Sequence, residues 1–266
     1  MSDLPVINIL GIPYDQKSSY MRGAAGAPSV IRYTLNDGSS NDWTETGHHI
    51  REDATLNDLG DIMALDYEKL HEAISEKYSP DESYIFLGGD HSISFPIIQA
   101  IHQKRQGFDI LHFDAHTDLY DNFEGDRHSH ACPFARIMEA GLCERLIQVG
   151  IRTVTKHQQE QIDKFGVELI TMREINKLHD LIFERPLYIS IDLDGFDPAY
   201  APGVSHHEPG GLVPRNIINF LHNIQQEIIA IDIVELNPRR DHERMTAALA
   251  CKLLKEVAGI MIRYKS

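Results

Sequence analysis

The chain has 266 residues, enough for one large α/β domain, and its 25 basic and 40 acidic side chains give a formal charge of −15. This balance repels nucleic acid and anionic membrane surfaces, so neither is expected as a partner. The three cysteines show neither metal-ligand nor disulfide spacing, which predicts a reduced compartment. The start of the sequence does not resemble a leader, and no apolar stretch approaches the ~20 residues of a membrane helix. A cytoplasmic protein is therefore expected.

Short apolar, β-branched runs recur along the chain and predict strands buried on both faces of a parallel sheet. They cover residues 6–14, 84–89, 109–114, 146–151, 167–171, 187–194 and 228–236. Helix-like segments alternate with them, over residues 66–78, 92–106, 133–141, 156–165, 214–226 and 243–258. The alternation predicts a single three-layer α/β domain over residues 1–266, with a mostly parallel central sheet and helices on both faces. The polar stretch 36–58 is predicted as loop.

Acidic and imidazole side chains follow four of the predicted strands, at the point where each strand ends. The first two groups stand in "LGGDHS" and "HFDAHTD", and they are Asp90, His91, Asp114, His116 and Asp118. The later groups stand in "ISIDLDGFD" and "IVELNP", and they are Asp192, Asp194, Asp197 and Glu235. Ligands of open parallel sheets bind outside the carboxyl ends of the strands, so these side chains are expected at one mouth.

The spacing of these groups favours a metal site. Alternate strand residues point the same way, so Asp114, His116 and Asp118 are expected to converge. Carboxylates so close together repel each other, and divalent cations remove that repulsion. Oxygen-rich ligands with a few imidazoles and no thiolate favour Mn²⁺ over a structural Zn²⁺ site. A lone Asp after a strand is usually a turn former, and His112 is interpreted as a buried residue with satisfied hydrogen bonds. The repetition of carboxylates and imidazoles at several strand ends nevertheless favours metal binding.

The motifs "GGDHS", "FDAHTD", "SIDLDGFDPAYAPG" and "VELNP" together resemble the signatures of the ureohydrolases, the arginase and agmatinase family, from about Ile7 to about Ala258. The segments "DLYDNFEGDRHSHACPFARIMEAG" and "GVSHHEPGGL" are most similar to plant-type arginases and their bacterial relatives. The resemblance implies a bridged pair of Mn²⁺ ions. One ion would be held by His91, Asp114, Asp118 and Asp192. The other would be held by His116, Asp114, Asp192 and Asp194, so that Asp114 and Asp192 bridge.

The resemblance also implies roles in hydrolysis of a guanidino compound. A guanidinium carbon is a poor electrophile, and two Mn²⁺ ions supply a strong nucleophile by lowering the pKa of a bound water. Glu235 matches the carboxylate that holds the guanidinium through paired hydrogen bonds. A loop histidine protonates the departing amine. Here that residue is His130, with His128 kept as an alternative, and Asp118 is counted as catalytic as well as a ligand.

The substrate is open between arginine and agmatine. Animal and bacillus arginases carry a "SGNLHG"-like loop and an aspartate-rich turn after "GIR", where this chain has "NFEGDRHSH" and "GIRTVTKHQQ". Plant-type arginases depart at the same places, so these departures do not exclude arginine, which is the first choice over agmatine. Arg127 is the candidate to meet a substrate carboxylate, and a solvated loop arginine is the alternative. The segment 18–32 is expected to line the mouth of the site.

Other functions remain as alternatives. Within the same chemistry, the substrate could be another guanidino acid or formiminoglutamate. A metal-binding protein without turnover is a second class, but it would need neither Glu235 nor His130. The deacetylase branch of the fold is disfavoured because such enzymes use one Zn²⁺. The family forms trimers and hexamers, so a homo-oligomer is expected.

Overall fold

The computed structural model describes residues 4–63 and 66–265, and within these residues eight strands form one parallel sheet. The strands are β1 (Val6–Ile12), β2 (Thr55–Asp61), β3 (Ser83–Gly88), β4 (Asp109–Phe113), β5 (Arg145–Ile151), β6 (Glu168–Thr171), β7 (Leu187–Asp192) and β8 (Ile228–Val234). The predicted domain of residues 1–266 includes 1–3, 64–65 and 266, which lie outside the described residues.

Helices connect the strands and cover both faces of the sheet. They are α1 (Ala27–Asn36), α2 (Leu70–Lys77), α3 (Ser94–Lys104), α4 (Pro133–Glu139), α5 (Lys156–Phe165), α6 (Pro214–His222) and α7 (Met245–Lys265). The sheet order is β2-β1-β3-β8-β7-β4-β5-β6, and every neighbouring pair is parallel. The predicted α/β fold with a parallel central sheet is therefore confirmed.

Two apolar cores lie on opposite faces of the sheet, because successive strand residues point to opposite sides. In β3, Ile85 and Leu87 pack into the core formed with α1, α6 and α7. Tyr84 and Phe86 of the same strand pack into the other core, formed with α2, α3, α4 and α5. Burying one such large apolar side chain stabilises the fold by about 1.5–3 kcal/mol. The three layers follow from this division of one strand's side chains between two cores.

The sequence did not predict β2 or α1. β2 begins at the end of the stretch 36–58 that was expected to be loop and continues to Asp61. Its polar, half-exposed residues lack the apolar pattern of a buried strand because it is an edge strand. α1 begins inside the predicted mouth segment 18–32 and carries a proline in its first turn, a position that tolerates proline.

The last strand is shorter than predicted. It ends at Val234 rather than at residue 236 because Glu235 adopts a left-handed backbone conformation with φ of 64°. Such a conformation is uncommon for a residue with a side chain and interrupts a strand. The strand end therefore fixes the direction in which the Glu235 side chain leaves the sheet.

Residues 4–63 and 66–265 include no helix with the length and apolar character to cross a membrane. The four strands that precede the polar motifs are consecutive neighbours at the centre of the sheet, in the order β3-β8-β7-β4. Because all are parallel, their carboxyl ends lie at one edge, as the sequence predicts.

Candidate metal centre

A buried cluster of one imidazole and three carboxylates forms where β3, β4 and β7 end. Nδ1 of His91 lies 3.0 Å from Oδ2 of Asp192 and 3.1 Å from Oδ2 of Asp118. Its distance to Oδ2 of Asp114 is 3.3 Å. These four residues are the ones that the resemblance assigns to a single ion, and the fold brings them together.

A second group shares Asp114 with the first. Nδ1 of His116 lies 3.5 Å from Oδ1 of Asp114 and 3.3 Å from Oδ2 of Asp194. Asp114 therefore turns Oδ2 toward His91 and Oδ1 toward His116. One carboxylate between two clusters is the arrangement required of a ligand that bridges two ions.

The local geometry differs from the strand alternation that was predicted. β4 ends at Phe113, so the residues from Asp114 onward lie in a turn, and Asp118 adopts a positive φ of 49°. Asp194 lies in a short 3-10 turn after β7, where its N–H donates to Oδ1 of Asp192 at 2.8 Å. The side chains converge because the chain turns over the sheet edge, not because strand residues alternate.

The ligand spacing fits metal ions. Ligand atoms at right angles on one ion lie about 3 Å apart when each bond is about 2.1 Å long. Nδ1 of His91 is buried and, among the described residues, has no hydrogen-bond partner of good geometry despite its three carboxylate neighbours. A buried nitrogen left in this state is explained by an ion that its lone pair and the carboxylates share.

The electrostatics of the cluster favour positive charge at its centre. Burial raises the pKa of Asp192 well above its ordinary value, and the charges of Asp194 and Asp114 add to this effect. Burial likewise raises the pKa of Asp194 to about 6. Burial alone would lower the pKa of His91, but its carboxylate neighbours raise it well above the ordinary value. Bound cations would relieve the carboxylate repulsion that these shifts express.

Residues behind the cluster orient its first imidazole. Ser190 donates its hydroxyl proton to Asp232 at 2.6 Å, so Oγ of Ser190 is free to accept from Nε2 of His91 at 3.0 Å. With the proton on Nε2, Nδ1 of His91 presents its lone pair to the carboxylates. Ser190 and Asp232 follow the alternation of β7 and β8, and nothing in their sequence pattern distinguishes them from other buried polar residues.

His112 orients the shared carboxylate. The amide of Gln148 donates to Nδ1 of His112 at 3.0 Å, which leaves the proton on Nε2 to donate to Oδ2 of Asp114 at 2.8 Å. This agrees with the interpretation of His112 as a satisfied buried residue. It also gives His112 a function that the sequence did not reveal, which is to hold Asp114 in place.

Two aspartates of the sequence motifs lie outside both metal groups. Asp90 accepts from the backbone of Lys17 at 3.0 Å and from the hydroxyl of Ser18 at 3.1 Å, so it anchors the loop after β1. Asp197 accepts from the backbone of Ala199 at 3.0 Å and Gly210 at 2.7 Å. Both are turn formers, the ordinary function of an Asp after a strand.

The acid–base residues predicted beside the cluster lie together. Oε1 of Glu235 accepts from the backbone N–H of His91 at 2.9 Å and lies 3.0 Å from Nδ1 of His130. Burial alone would lower the pKa of His130, but the hydrogen bond and charge of Glu235 raise it to about 9. His128 instead packs against the rings of Tyr67 and Phe95, so of the two candidate histidines only His130 contacts Glu235.

A cavity of about 220 Å³ opens beside the cluster. Its walls include His116 and Asp118 together with Thr153, Thr155 and Gln158, which follow β5. Ser19 from the predicted mouth segment also lines it, as do His130 and His206. His206 was not predicted as a site residue, although its "GVSHHEPGGL" motif was noted.

Arg127 does not line this cavity. Its exposed guanidinium lies 2.8 Å from Oε2 of Glu139 and 2.9 Å from Oδ1 of Asp121. In this structure the two acids satisfy the side chain away from the cavity, whereas a contact with a substrate carboxylate was predicted. The alternative of a solvated loop arginine describes its position.

We expect Arg127→Ala to leave the kinetics unchanged, since exposed ion pairs contribute little to stability and the side chain is outside the cavity. The measurement is kcat/KM for arginine and for agmatine, with the melting temperature recorded alongside. A rise in KM for arginine that spares agmatine would show that Arg127 does reach the substrate carboxylate.

Comparisons with known proteins agree with this geometry. A sequence profile described as the arginase family matches residues 6–259. The mitochondrial arginase of Medicago truncatula is 45% identical over 275 aligned residues, covering 96% of this chain and 81% of that protein. Arginase 2 of Arabidopsis thaliana, named chloroplastic/mitochondrial, is 43% identical over 274 residues, covering 95% and 80%. The solved structure of the Medicago enzyme matches with a TM-score of 0.91 at 42% identity, covering 98% of this chain and 89% of that one.

These matches confirm the resemblance drawn from the motifs, but they contradict the predicted cytoplasmic location. The two plant relatives carry mitochondrial or chloroplastic locations in their names. The prediction of a cytoplasmic protein is therefore wrong by this comparison.

Proposed function

The chain belongs to the arginase family, and from this membership we propose that it hydrolyses L-arginine to L-ornithine and urea at a centre of two Mn²⁺ ions. The observation that carries the proposal is the position of Asp114 between two ligand groups. His91 faces one of its oxygens and His116 the other. Two ions bound there would supply the nucleophile by lowering the pKa of a water molecule.

The donor set supports manganese. His91, Asp114, Asp118 and Asp192 would hold one ion, and His116, Asp114, Asp192 and Asp194 the other. Both sets are rich in carboxylate oxygen and contain one imidazole each, and such ligands suit Mn²⁺ better than a thiolate-preferring metal. The three cysteines lie outside both sets, and within the described chain each is a free thiol.

Glu235 would bind the guanidinium of the substrate. The hydrogen bonds that it receives among the described residues both end on Oε1, from His91 and His130. Its pKa is lowered, since the hydrogen bond and charge of His130 outweigh burial, so the carboxylate is ionised at neutral pH. An ionised, buried carboxylate is suited to hold a cationic guanidinium in one orientation.

His130 would protonate the departing amine. With a pKa raised to about 9, its imidazole carries a proton at neutral pH. Nε2 lies 2.8 Å from the hydroxyl of Ser19, which also lines the cavity, so the ring is held at both nitrogens. Such a fixed, protonated imidazole beside the guanidinium is a suitable general acid.

The part of the cavity wall at the start of α5 supports arginine over agmatine. Thr155 and Gln158 line the cavity and form the capping box at the start of α5. The capping box pairs the N–H groups of Thr155 and Gln158, but the amino end of the helix still carries partial positive charge, which favours an anionic group nearby. Arginine has a carboxylate to offer there, and agmatine has none.

The test is a urea assay of the Mn²⁺-loaded protein with arginine, agmatine, 4-guanidinobutyrate and 3-guanidinopropionate. We expect the highest kcat/KM with arginine, accompanied by one ornithine per urea. A higher kcat/KM with agmatine would replace arginine as the substrate. Absence of urea from all four compounds with metal bound would refute the hydrolase and favour a binding protein without turnover.

A further inference from the structure

His206 has a buried nitrogen without a partner in the wall of the substrate cavity. Within the described residues, nothing forms a hydrogen bond with its Nε2. A buried polar atom in this state loses hydration without compensation, unless a ligand or water supplies the missing bond. Because the residue lines the cavity, the ligand of that cavity is the natural partner.

The surroundings of His206 place it on the metal side of the cavity. Its ring centroid lies 5.5 Å from that of His130, 6.0 Å from that of His116 and 5.3 Å from that of Tyr20. The first two rings belong to the proposed proton donor and to a proposed metal ligand. His206 therefore lies where the guanidinium end of a substrate is processed.

The backbone of His206 is joined to the segment that carries Glu235. Val204 forms an antiparallel bridge with Leu236, and the backbone N–H of Asn237 donates to Gly203 at 2.7 Å. The amide of Asn237 also donates to the hydroxyl of Ser205 at 2.9 Å. Through these contacts the loop before His206 and the turn after β8 are held as one unit.

A guanidinium needs more acceptors than Glu235 provides. It carries five N–H donors and no acceptor. Oε1 of Glu235 already accepts hydrogen bonds from His91 and His130. Of the two carboxylate oxygens, only Oε2 is therefore left without a hydrogen bond from these residues and able to accept from the substrate. A neutral imidazole has one acceptor nitrogen, which matches the unpartnered Nε2 of His206.

We propose that Nε2 of His206 accepts a hydrogen bond from the substrate guanidinium, as a second acceptor beside Glu235. This inference rests on the proposed urea-releasing activity. His206 would thus bind the substrate directly and help to select a guanidinium over a simple amine, which offers fewer donors in a different geometry.

The test compares His206→Leu, which removes the acceptor at similar volume, with His206→Gln, which keeps an acceptor oxygen. The matched control is His207→Leu, since the next residue is exposed and bonds to the backbone of Pro202. We expect His206→Leu to raise KM for arginine by about 10- to 100-fold, the range for one hydrogen bond to a charged group. We expect kcat to change much less, since the bond is present in the ground state as well.

His206→Gln should recover most of the loss, and His207→Leu should behave as wild type. Manganese content and melting temperature are measured for every variant, and His206→Ala takes the place of His206→Leu if that protein melts early. Wild-type KM in the acceptor-free variant, or equal impairment of His206→Gln, would overturn the inference while leaving the hydrolase intact. Wild-type protein that releases no urea would instead remove the proposed function, and the inference with it.

Discussion

Asp114→Asn is expected to abolish urea release and to remove both metal ions together. Asp114 presents one oxygen to each ligand group, and asparagine keeps its shape while losing the charge and one oxygen donor. Removing a residue that only hydrogen-bonds a metal ligand typically costs about 10–100-fold in metal affinity or activity. Loss of a carboxylate shared by two ions should exceed that range.

The measurement is manganese per chain by atomic emission after dialysis, together with urea formation. The matched control is Asp109→Asn. Asp109 is buried at the opposite end of the same strand, with its nearest cation, Arg185, at 3.6 Å. The control should retain two ions. Full activity or two retained ions in Asp114→Asn would show that Asp114 does not bridge.

Glu235→Gln is expected to lower kcat/KM for arginine by about 10²–10³-fold while both ions stay bound, because it removes the charge that pairs with the guanidinium. Glutamine retains an acceptor for the N–H of His91, so the fold around β8 should persist. Glu227→Gln is the control, since Glu227 lies just before the same strand and pairs with Arg105 at 2.5 Å.

The same variant has a signature in the pH profile. The charge and hydrogen bond of Glu235 raise the pKa of His130 to about 9. Removing that charge lowers the pKa, so the protonated form of His130 is lost at lower pH and the basic limb of kcat should move to lower pH. An unchanged basic limb would show that His130 is not the proton donor or that Glu235 does not control it.

Much of the fold was predictable because the central strands are buried on both faces. Continuous apolar runs such as β3 and β8 have few other interpretations. β2 was missed since an edge strand needs no apolar pattern, and α1 because a glycine precedes its first residue and a proline stands in its first turn. The turn conformation of Asp118 depends on packing that no local spacing encodes.

The candidate site was predictable only where its residues stand in recognisable motifs. Asp114 and His116 were predicted as site residues because several carboxylates and imidazoles recur at strand ends, and the structure places the two side chains together. No comparable sequence pattern distinguishes His112 or His206. What distinguishes them is the environment of Nε2, which in His112 bonds to Asp114 and in His206 is buried without a partner among the described residues. The ion pairs of Arg127 were not predicted because a loop sequence does not show which acids lie beside it in space.

The most direct test of the two-ion hydrolase is a titration of the metal-free protein with Mn²⁺, following urea from arginine against ions bound per chain. We expect activity to rise with occupancy and to reach its plateau at two ions per chain, with Asp114→Asn inactive throughout. Full activity at one ion per chain, or no urea at two, would contradict this expectation.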